Sequence, residues 1–363
     1  MPGPPAGGGG VPDLKLAFLD VGQGDGIYIE YPNGTTMLVD MGSTKNKKIV
    51  AKSIKEFFAN FTKFKTKGQT LDYLILTHGD IDHYNLVIDF LSNFGIRVGN
   101  LLFGGDQSDY GKTVGTLRKA MGSGMTLLSD PGSYPALLGT FGGAAVRVVG
   151  MNAPSSKSSH AWTKNTSSVV LQIAYGGNKV MLTGDATRDT EAAILTHFAR
   201  ANAVGQLQSH VWKMQHHGSL RTSISPNWAA AVKAEYVIIS SDRSGSLGFG
   251  EKSTGHRLPQ EAALDIVRIN TKLATGGTHN YVSSYDPKDY SDYRNPNTGT
   301  TGLVDKQASK GWNKTWVTTS TKEGIFTTLQ QMDKTFPDGS VADLGVRYDV
   351  LMKDNGAIEI FTT

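Results

Sequence analysis

Ten residues, Leu74-Ile75-Leu76-Thr77-His78-Gly79-Asp80-Ile81-Asp82-His83, end an apolar run with four metal-competent side chains in six positions. Two imidazoles and two carboxylates this close together favour a cation between them. Donors of this oxygen and nitrogen type suit divalent metals. A solvated turn with ordinary His and Asp is the bland alternative. Against it, further donors follow short apolar runs downstream, at Asp185 and at His216 and His217. The chain has no cysteine. Disulfides are therefore excluded, and any metal must be held by His, Asp, Glu, Asn or backbone oxygen.

Such side chains need elements to position them. Leu14 to Val21, Ile27 to Tyr31 and Thr36 to Asp40 read as strands, joined by the loop Gly22 to Gly26 and the turn Pro32-Asn33-Gly34. Ile49 to Phe64 carries apolar residues at helical spacing. Leu71 to Leu76 reads as a buried strand, Tyr84 to Phe94 as a helix and Gly99 to Phe103 as a strand. Residues 104–145 are Gly-rich and poorly patterned. They read as a lid or an insertion with a helix near Val114 to Met121.

The second half repeats the style. Strands are expected at Ala145 to Gly150, Ser167 to Ala174, Lys179 to Thr183, His210 to Gln215 and Tyr236 to Ser240. Helices are expected at Thr187 to Arg200, Pro226 to Val232 and Leu258 to Ile269. Four strands thus end at Asp40, His78, Asp185 and His216, and layered α/β folds build their sites at strand ends. His216 and His217 are neighbours, so in an extended chain they point to opposite sides. The tail, 275–363, is rich in Thr, Tyr, Asn, Asp and Gly. Short strands at Thr315 to Ser320, Gly324 to Leu329, Val346 to Met352 and Ala357 to Phe361 make it a β-rich extension packed on the main fold.

The chain's 363 residues suffice for one large or two ordinary domains, and 39% apolar content supports a real core. Lys and Arg (36) exceed Asp and Glu (32), a net charge of +4. That balance permits an anionic substrate, nucleic acid included, without demanding one. No run approaches the ~18–20 apolar residues of a membrane span. Residues 1–13 lack the basic start and apolar stretch of a signal peptide and read as a disordered leader. A cytoplasmic protein with no membrane partner is the expectation, with a main domain over 14–274 and the extension over 275–363.

The run His78-x-Asp80-x-Asp82-His83 resembles the signature of the metallo-β-lactamase superfamily, whose common form is His-x-His-x-Asp-His. The Asp80 variant is similar to the hydrolase domain of the DNA-uptake channel protein ComEC and its soluble relatives. Phe18 to Gly26 resembles that family's opening strand and loop, and Leu38-Val39-Asp40-Met41-Gly42 its Asp-x-Gly strand end. Asn165 to Leu171 resembles its Asn-x-x-Ser-leading strand, and Leu182-Thr183-Gly184-Asp185 its Thr-Gly-Asp. Gln215 to Ser219 resembles His-His-Gly-Ser. Gly255 to Pro259 is similar to its late Gly-His-Pro segment, with two residues between His256 and Pro259.

The resemblance implies an αββα sandwich and a metal-dependent hydrolase. It implies two divalent ions (Mn or Zn, with Mg a further option). His78, Asp80 and Asn165 would hold one ion. Asp82, His83 and a late His, His217 or His256, would hold the other, with Asp185 bridging. Asp40 and Asp20 would orient from behind. The implied catalysts are Asp82, His216 and His217. A metal-bridged hydroxide would attack phosphorus, and one of the two histidines would protonate the leaving oxygen. Because Asp80 and Asn165 stand where relatives often carry His, the oxygen-rich site favours manganese over zinc. A phosphodiesterase or nuclease is the first expectation. A small-ester hydrolase (phosphorylcholine ester, cyclic nucleotide or lactone) and a non-enzymatic scaffold are the alternatives.

Other features have plainer readings. His197 and His210 read as structural or surface residues, while His160 and His279 are distant candidates for the site. Gly22-x-Gly24-x-Gly26 leads to a strand and so departs from the dinucleotide fingerprint. Lys45, Lys47, Lys48, Lys52, Lys55, Lys63, Lys65 and Lys67 form either a solvated face or a phosphate track. Tyr281, Tyr285, Tyr290 and Tyr293 either stack bases or lie in a surface loop.

Overall fold

The computed structural model describes residues 12–44, 58, 69–121, 124–241, 258–273 and 347–362, with segments at 281–282, 302–304, 316–318, 324–327, 334–335 and 341–342. The expected helix from Ile49 to Phe64 lies outside these residues except for Phe58, as do His256, His279, the lysine series and Tyr285, Tyr290 and Tyr293. Of the expected leader only Pro12 and Asp13 are described. The Pro12 carbonyl accepts a hydrogen bond from the Tyr175 hydroxyl at 2.9 Å.

The strands in chain order are β1 (Leu14–Phe18), β2 (Ile27–Glu30), β3 (Thr36–Val39), β4 (Thr70–Leu76), β5 (Arg97–Phe103), β6 (Thr126–Leu127), β7 (Ala136–Phe141), β8 (Ala144–Gly150), β9 (Val170–Tyr175) and β10 (Asn178–Leu182). Then come β11 (Val211–Lys213), β12 (Tyr236–Ile239), β13 (Tyr281–Val282), β14 (Gly302–Val304), β15 (Trp316–Thr318), β16 (Ile325–Thr327), β17 (Lys334–Thr335), β18 (Val341–Ala342), β19 (Tyr348–Met352) and β20 (Ile358–Thr362). One sheet runs β13-β20-β19-β1-β2-β3-β4-β5-β6 and the other β16-β12-β11-β10-β9-β8-β7.

Period-2 patterning decides which side chains meet. In β1, Leu14, Leu16 and Phe18 face the second sheet, where they join Val180 and Leu182 of β10 and Tyr236 and Ile238 of β12 in one core. Ala17 and, just past the strand, Leu19 face outward with Leu74 and Leu76 onto the helices Val87–Phe94 and Thr113–Met121. On the far side, Met181, Trp212, Val237 and Ile239 pack against Arg188–Arg200, Pro226–Val232 and Glu261–Asn270. Three apolar layers thus alternate with the sheets and helices of an αββα sandwich. Each buried Leu, Ile or Phe in them contributes about 1.5–3 kcal/mol.

Four local expectations change. Residues 104–145 are not a lid alone. Ala136–Phe141 is the edge strand of the second sheet, antiparallel to β8, and the hairpin turns at Gly142 and Gly143 with φ of 57° and 88°. Asn165 does not lead a strand. It sits in the last turn of a seven-residue helix, His160–Thr166, and β9 starts only at Val170. The expected helix Tyr84 to Phe94 is two, Ile81–Tyr84 and Val87–Phe94. The last strands do more than pack on the fold: β19 pairs along the whole of β1, Leu14 opposite Met352, and β16 pairs with β12.

Candidate metal centre

β3 and β4 run parallel in one sheet, as do β10, β11 and β12 in the other. Parallel strands share their C-terminal ends, so the segments that follow them converge at one end of the sandwich. There the structure brings together Asp40, His78, Asp80, Asp82, His83, Asp185, His216 and His217.

Asp185 lies at the centre. Its Oδ1 is 3.3 Å from His83 Nε2. Its Oδ2 is 3.9 Å from His78 Nε2, 3.7 Å from His216 Nε2 and 3.6 Å from His217 Nε2. Asp82 Oδ2 lies 3.5 Å from His217 Nε2, and Asp80 Oδ2 lies 3.7 Å from His78 Nε2. Four imidazoles therefore turn the same ring atom toward one set of carboxylates.

Their other nitrogens are engaged from behind. His83 Nδ1 donates to Asp40 Oδ2 at 2.8 Å, and His217 Nδ1 donates to the Ser240 carbonyl at 2.7 Å. Neither acceptor can donate, so both rings carry a proton on Nδ1, which leaves Nε2 as the ring atom turned toward the carboxylates. His78 Nδ1 lies 3.1 Å from Thr77 Oγ1, and His216 Nδ1 lies 2.8 Å from Thr222 Oγ1. Asp40 is itself held by the Thr77 amide at 2.7 Å and hydroxyl at 2.6 Å. Support of this kind is typical behind metal-binding histidines.

Local backbone makes the convergence possible. Asp40, His216 and His217 have φ of 58°, 48° and 53°, a left-handed region costly for non-glycine residues and common at functional sites. Because His216 and His217 are not extended, they do not point to opposite sides: both rings reach Asp185, with their planes at 90°. Gly184, with φ of 48°, leaves room for Thr77, whose Cβ would lie 2.7 Å from an added methyl.

The donor set fits a divalent cation. His78 Nε2, His83 Nε2, His217 Nε2 and Asp185 Oδ1 are buried and have no hydrogen-bond partner among the described residues. Orphaned atoms are rare and costly inside proteins. Here they cluster: one ligand atom each from His78, His83 and Asp185 lies within 4.8 Å of the others, and so do those of Asp82, His83 and His217.

Charge reinforces the geometry. Burial works against ionisation of Asp185, yet His217, His83 and His216 hold its carboxyl well below the usual range. Asp82 and Asp80 are lowered against the same penalty, Asp82 by His217 and His83, Asp80 by His78 and Lys164. Burial pushes His83 and His217 down. The Asp185 carboxylate outweighs it in both, joined by Asp40 and Asp82 respectively, and both stay above the ordinary imidazole value. For His216 burial prevails over Asp185 and takes it down to about 4.

Asn165 is placed beside this cluster. Its Nδ2 is 3.4 Å from His216 Nδ1, and its buried Oδ1 has no hydrogen-bond partner among the described residues. His160 pairs instead with Asp109 at 3.6 Å on the surface, and His210 Nδ1 accepts from the Lys179 amide at 3.1 Å.

Three residues escaped sequence reasoning. Lys213 shares a face of β11 with Val211, which puts a lysine in the layer between the sheets, where it is fully buried. It forms an ion pair with Asp25, whose carboxylate also lies 3.8 Å from His83 Nδ1 and 4.0 Å from His217 Nδ1. Lys164 Nζ is 2.5 Å from Asp80 Oδ1. The one available signal was a lysine inside the apolar run Val211 to Met214.

No curated protein matches the chain. Solved structures with some likeness include a mutant of the CmlA beta-hydroxylase, 16% identical, with 66% of this chain and 46% of that one covered and a TM-score of 0.38. The chain thus spans less than half of that protein's length. A diphosphatase from the PhnP family is 14% identical over 59% of this chain and 71% of that one, at a TM-score of 0.34. Zn(2+)-bound PqqB from Methylobacterium extorquens is 11% identical over 56% and 72%, at 0.37. A model of the Metallo-beta-lactamase superfamily matches residues 19–101, the stretch that carries Asp40 and the run from His78 to His83, and the two-sheet architecture with its added C-terminal strands is consistent with that superfamily's fold.

Proposed function

We propose that this chain is a metal-dependent hydrolase of phosphodiesters, with a nuclease as the leading form. The carrying observation is the ring of orphaned buried Nε2 atoms around the Asp185 carboxylate. His83, Asp82, His217 and Asp185 would hold one divalent cation, and His78, Asp80, His216 and Asp185 a second. Bound there, such ions supply Lewis acidity and make a coordinated water acidic near neutral pH.

The chain's own residues do the rest. Asp40 and the Ser240 carbonyl keep His83 and His217 in the ligating tautomer. Burial of His83 and His217 excludes bulk water from the inner half of the site. His216 is one-fifth exposed and Asp80 one-quarter, so a substrate approaches from their side. His216 is the more exposed member of the histidine pair. Asp80 in place of the commoner His supports placement in the ComEC-like branch, and the net charge of +4 suits an anionic substrate.

The decisive test incubates metal-loaded protein with single- and double-stranded DNA, RNA and bis(p-nitrophenyl) phosphate. Polynucleotide cleavage supports the nuclease form. Turnover of the small diester alone redirects the assignment to small esters. No turnover together with no metal binding would sink the hydrolase reading.

A further inference from the structure

Lys164 pairs with one carboxylate of the metal centre, Asp80. The helix His160–Thr166 carries it in its last turn, and its ammonium reaches across to the loop after β4. There Nζ pairs with Asp80 Oδ1 at 2.5 Å and donates to the Gly79 carbonyl at 3.1 Å. The lysine side chain is 17% exposed, so it is packed along the wall of the site rather than free in solvent. Its place near a helix C-terminus is electrostatically favourable.

The consequence is asymmetric. In the inner half, Asp82, His83 and His217 face one another, and among the described residues no lysine pairs with any of the three. The nearby buried Lys213 has its own carboxylate partner in Asp25. In the outer half, one oxygen of Asp80 is already claimed by an internal cation, while the other lies 3.7 Å from His78 Nε2. A divalent ion entering there must displace the ammonium or sit beside a like charge, and both cost free energy in a partly buried setting.

We infer that Lys164 acts as an internal competitor for the outer cation position, so that the two positions fill in order. The inner position, Asp82–His83–His217, fills first. The outer position, His78–Asp80–His216, fills second and more weakly. This rests on the metal-dependent reading above and adds to it an order of filling and the residue that sets it.

Calorimetric titration of chelator-stripped protein with Mn²⁺ tests it. Wild type should take up one ion tightly and a second at least about tenfold more weakly, a gap of roughly 1.4 kcal/mol. In Lys164→Met the second step should move to within about threefold of the first, whereas Lys164→Arg should keep the gap. Asp80→Asn should retain the first step and lose the second, which gives an independent reading should the Met variant prove unstable. Two equal steps in wild type, or an unchanged gap in folded Lys164→Met, would overturn the inference and leave the metal-dependent hydrolase standing. No Mn²⁺ uptake by wild type would remove both.

Discussion

Replacing Asp40 by Asn should disable His83 as a ligand without unfolding the protein. Asp40 is fully buried in a left-handed conformation that Asn also tolerates, so shape and backbone survive. Its Oδ1 accepts from the Thr77 amide at 2.7 Å. That amide can only donate, so the Asn oxygen must stay against it. The new NH₂ then occupies the place of the oxygen that lies 2.8 Å from His83 Nδ1. Two donors cannot face each other. His83 must move its proton to Nε2, the atom that now points at Asp185 from 3.3 Å.

A protonated Nε2 cannot bind metal. Loss of the charge-assisted hydrogen bond should lower stability by about 2 kcal/mol. Disturbing the partner behind a ligating histidine typically costs roughly 10–100-fold in metal affinity, or about 1.4–2.8 kcal/mol. The tautomer reversal places the expected loss at the upper end. Mn²⁺ competition with a chelator measures the affinity, and long-range ¹H–¹⁵N NMR identifies the tautomer. Wild-type affinity in Asp40→Asn, with His83 still protonated on Nδ1, would refute the reasoning.

Asp185→Asn should abolish metal-dependent turnover while circular dichroism stays native; normal rates would contradict a shared carboxylate at the centre. Stripped protein should regain more activity with Mn²⁺ than with Zn²⁺, and recovery with zinc alone would remove the oxygen-donor argument. Lys213→Met alone strands the Asp25 charge and should cost about 3–5 kcal/mol in urea unfolding, whereas adding Asp25→Asn should recover part of it; purely additive effects would count against a coupled pair. Burial raises the Glu191 carboxyl above its ordinary 4.5, so the folded state keeps that proton longer than the unfolded chain. Its contribution to stability is fullest below pH 4.5 and declines as pH rises through the raised value. Glu191→Gln should remove that decline from the pH series of urea midpoints, and an identical slope would exclude Glu191 as its source.

Strand ends were legible in the sequence because an apolar run that stops at His, Asp or Gly leaves little choice of meaning. The placing of Asp40, His78, Asp185 and His216 at neighbouring strand ends follows from that pattern. Three things were not legible. The helix holding Asn165 is only seven residues long and shows no amphipathic repeat. β7 is an edge strand with Gly139 in its interior and a single buried residue, so its alternation is faint. The Lys213–Asp25 pair joins residues 188 positions apart across two sheets, and no local pattern encodes such a partner. The reading of His216 and His217 as opposed failed for a related reason: it presumed an extended chain, and the turn there is left-handed.

The pairing of β1 with β19 has a consequence for biosynthesis. β1 lies inside its sheet, between β2 and β19, and Leu14, Leu16 and Phe18 are almost wholly buried. During translation β2 emerges soon after β1 and the last metal-centre residue is His217, yet the other neighbour of β1 begins only at Tyr348, with synthesis at about 5–20 residues per second. For that interval β1 is a bare apolar edge, the kind of surface on which nascent chains stick to one another. The centre's ligands can thus be synthesised well before the sheet beneath them is sealed, and truncation ahead of Tyr348 would leave that edge open for good.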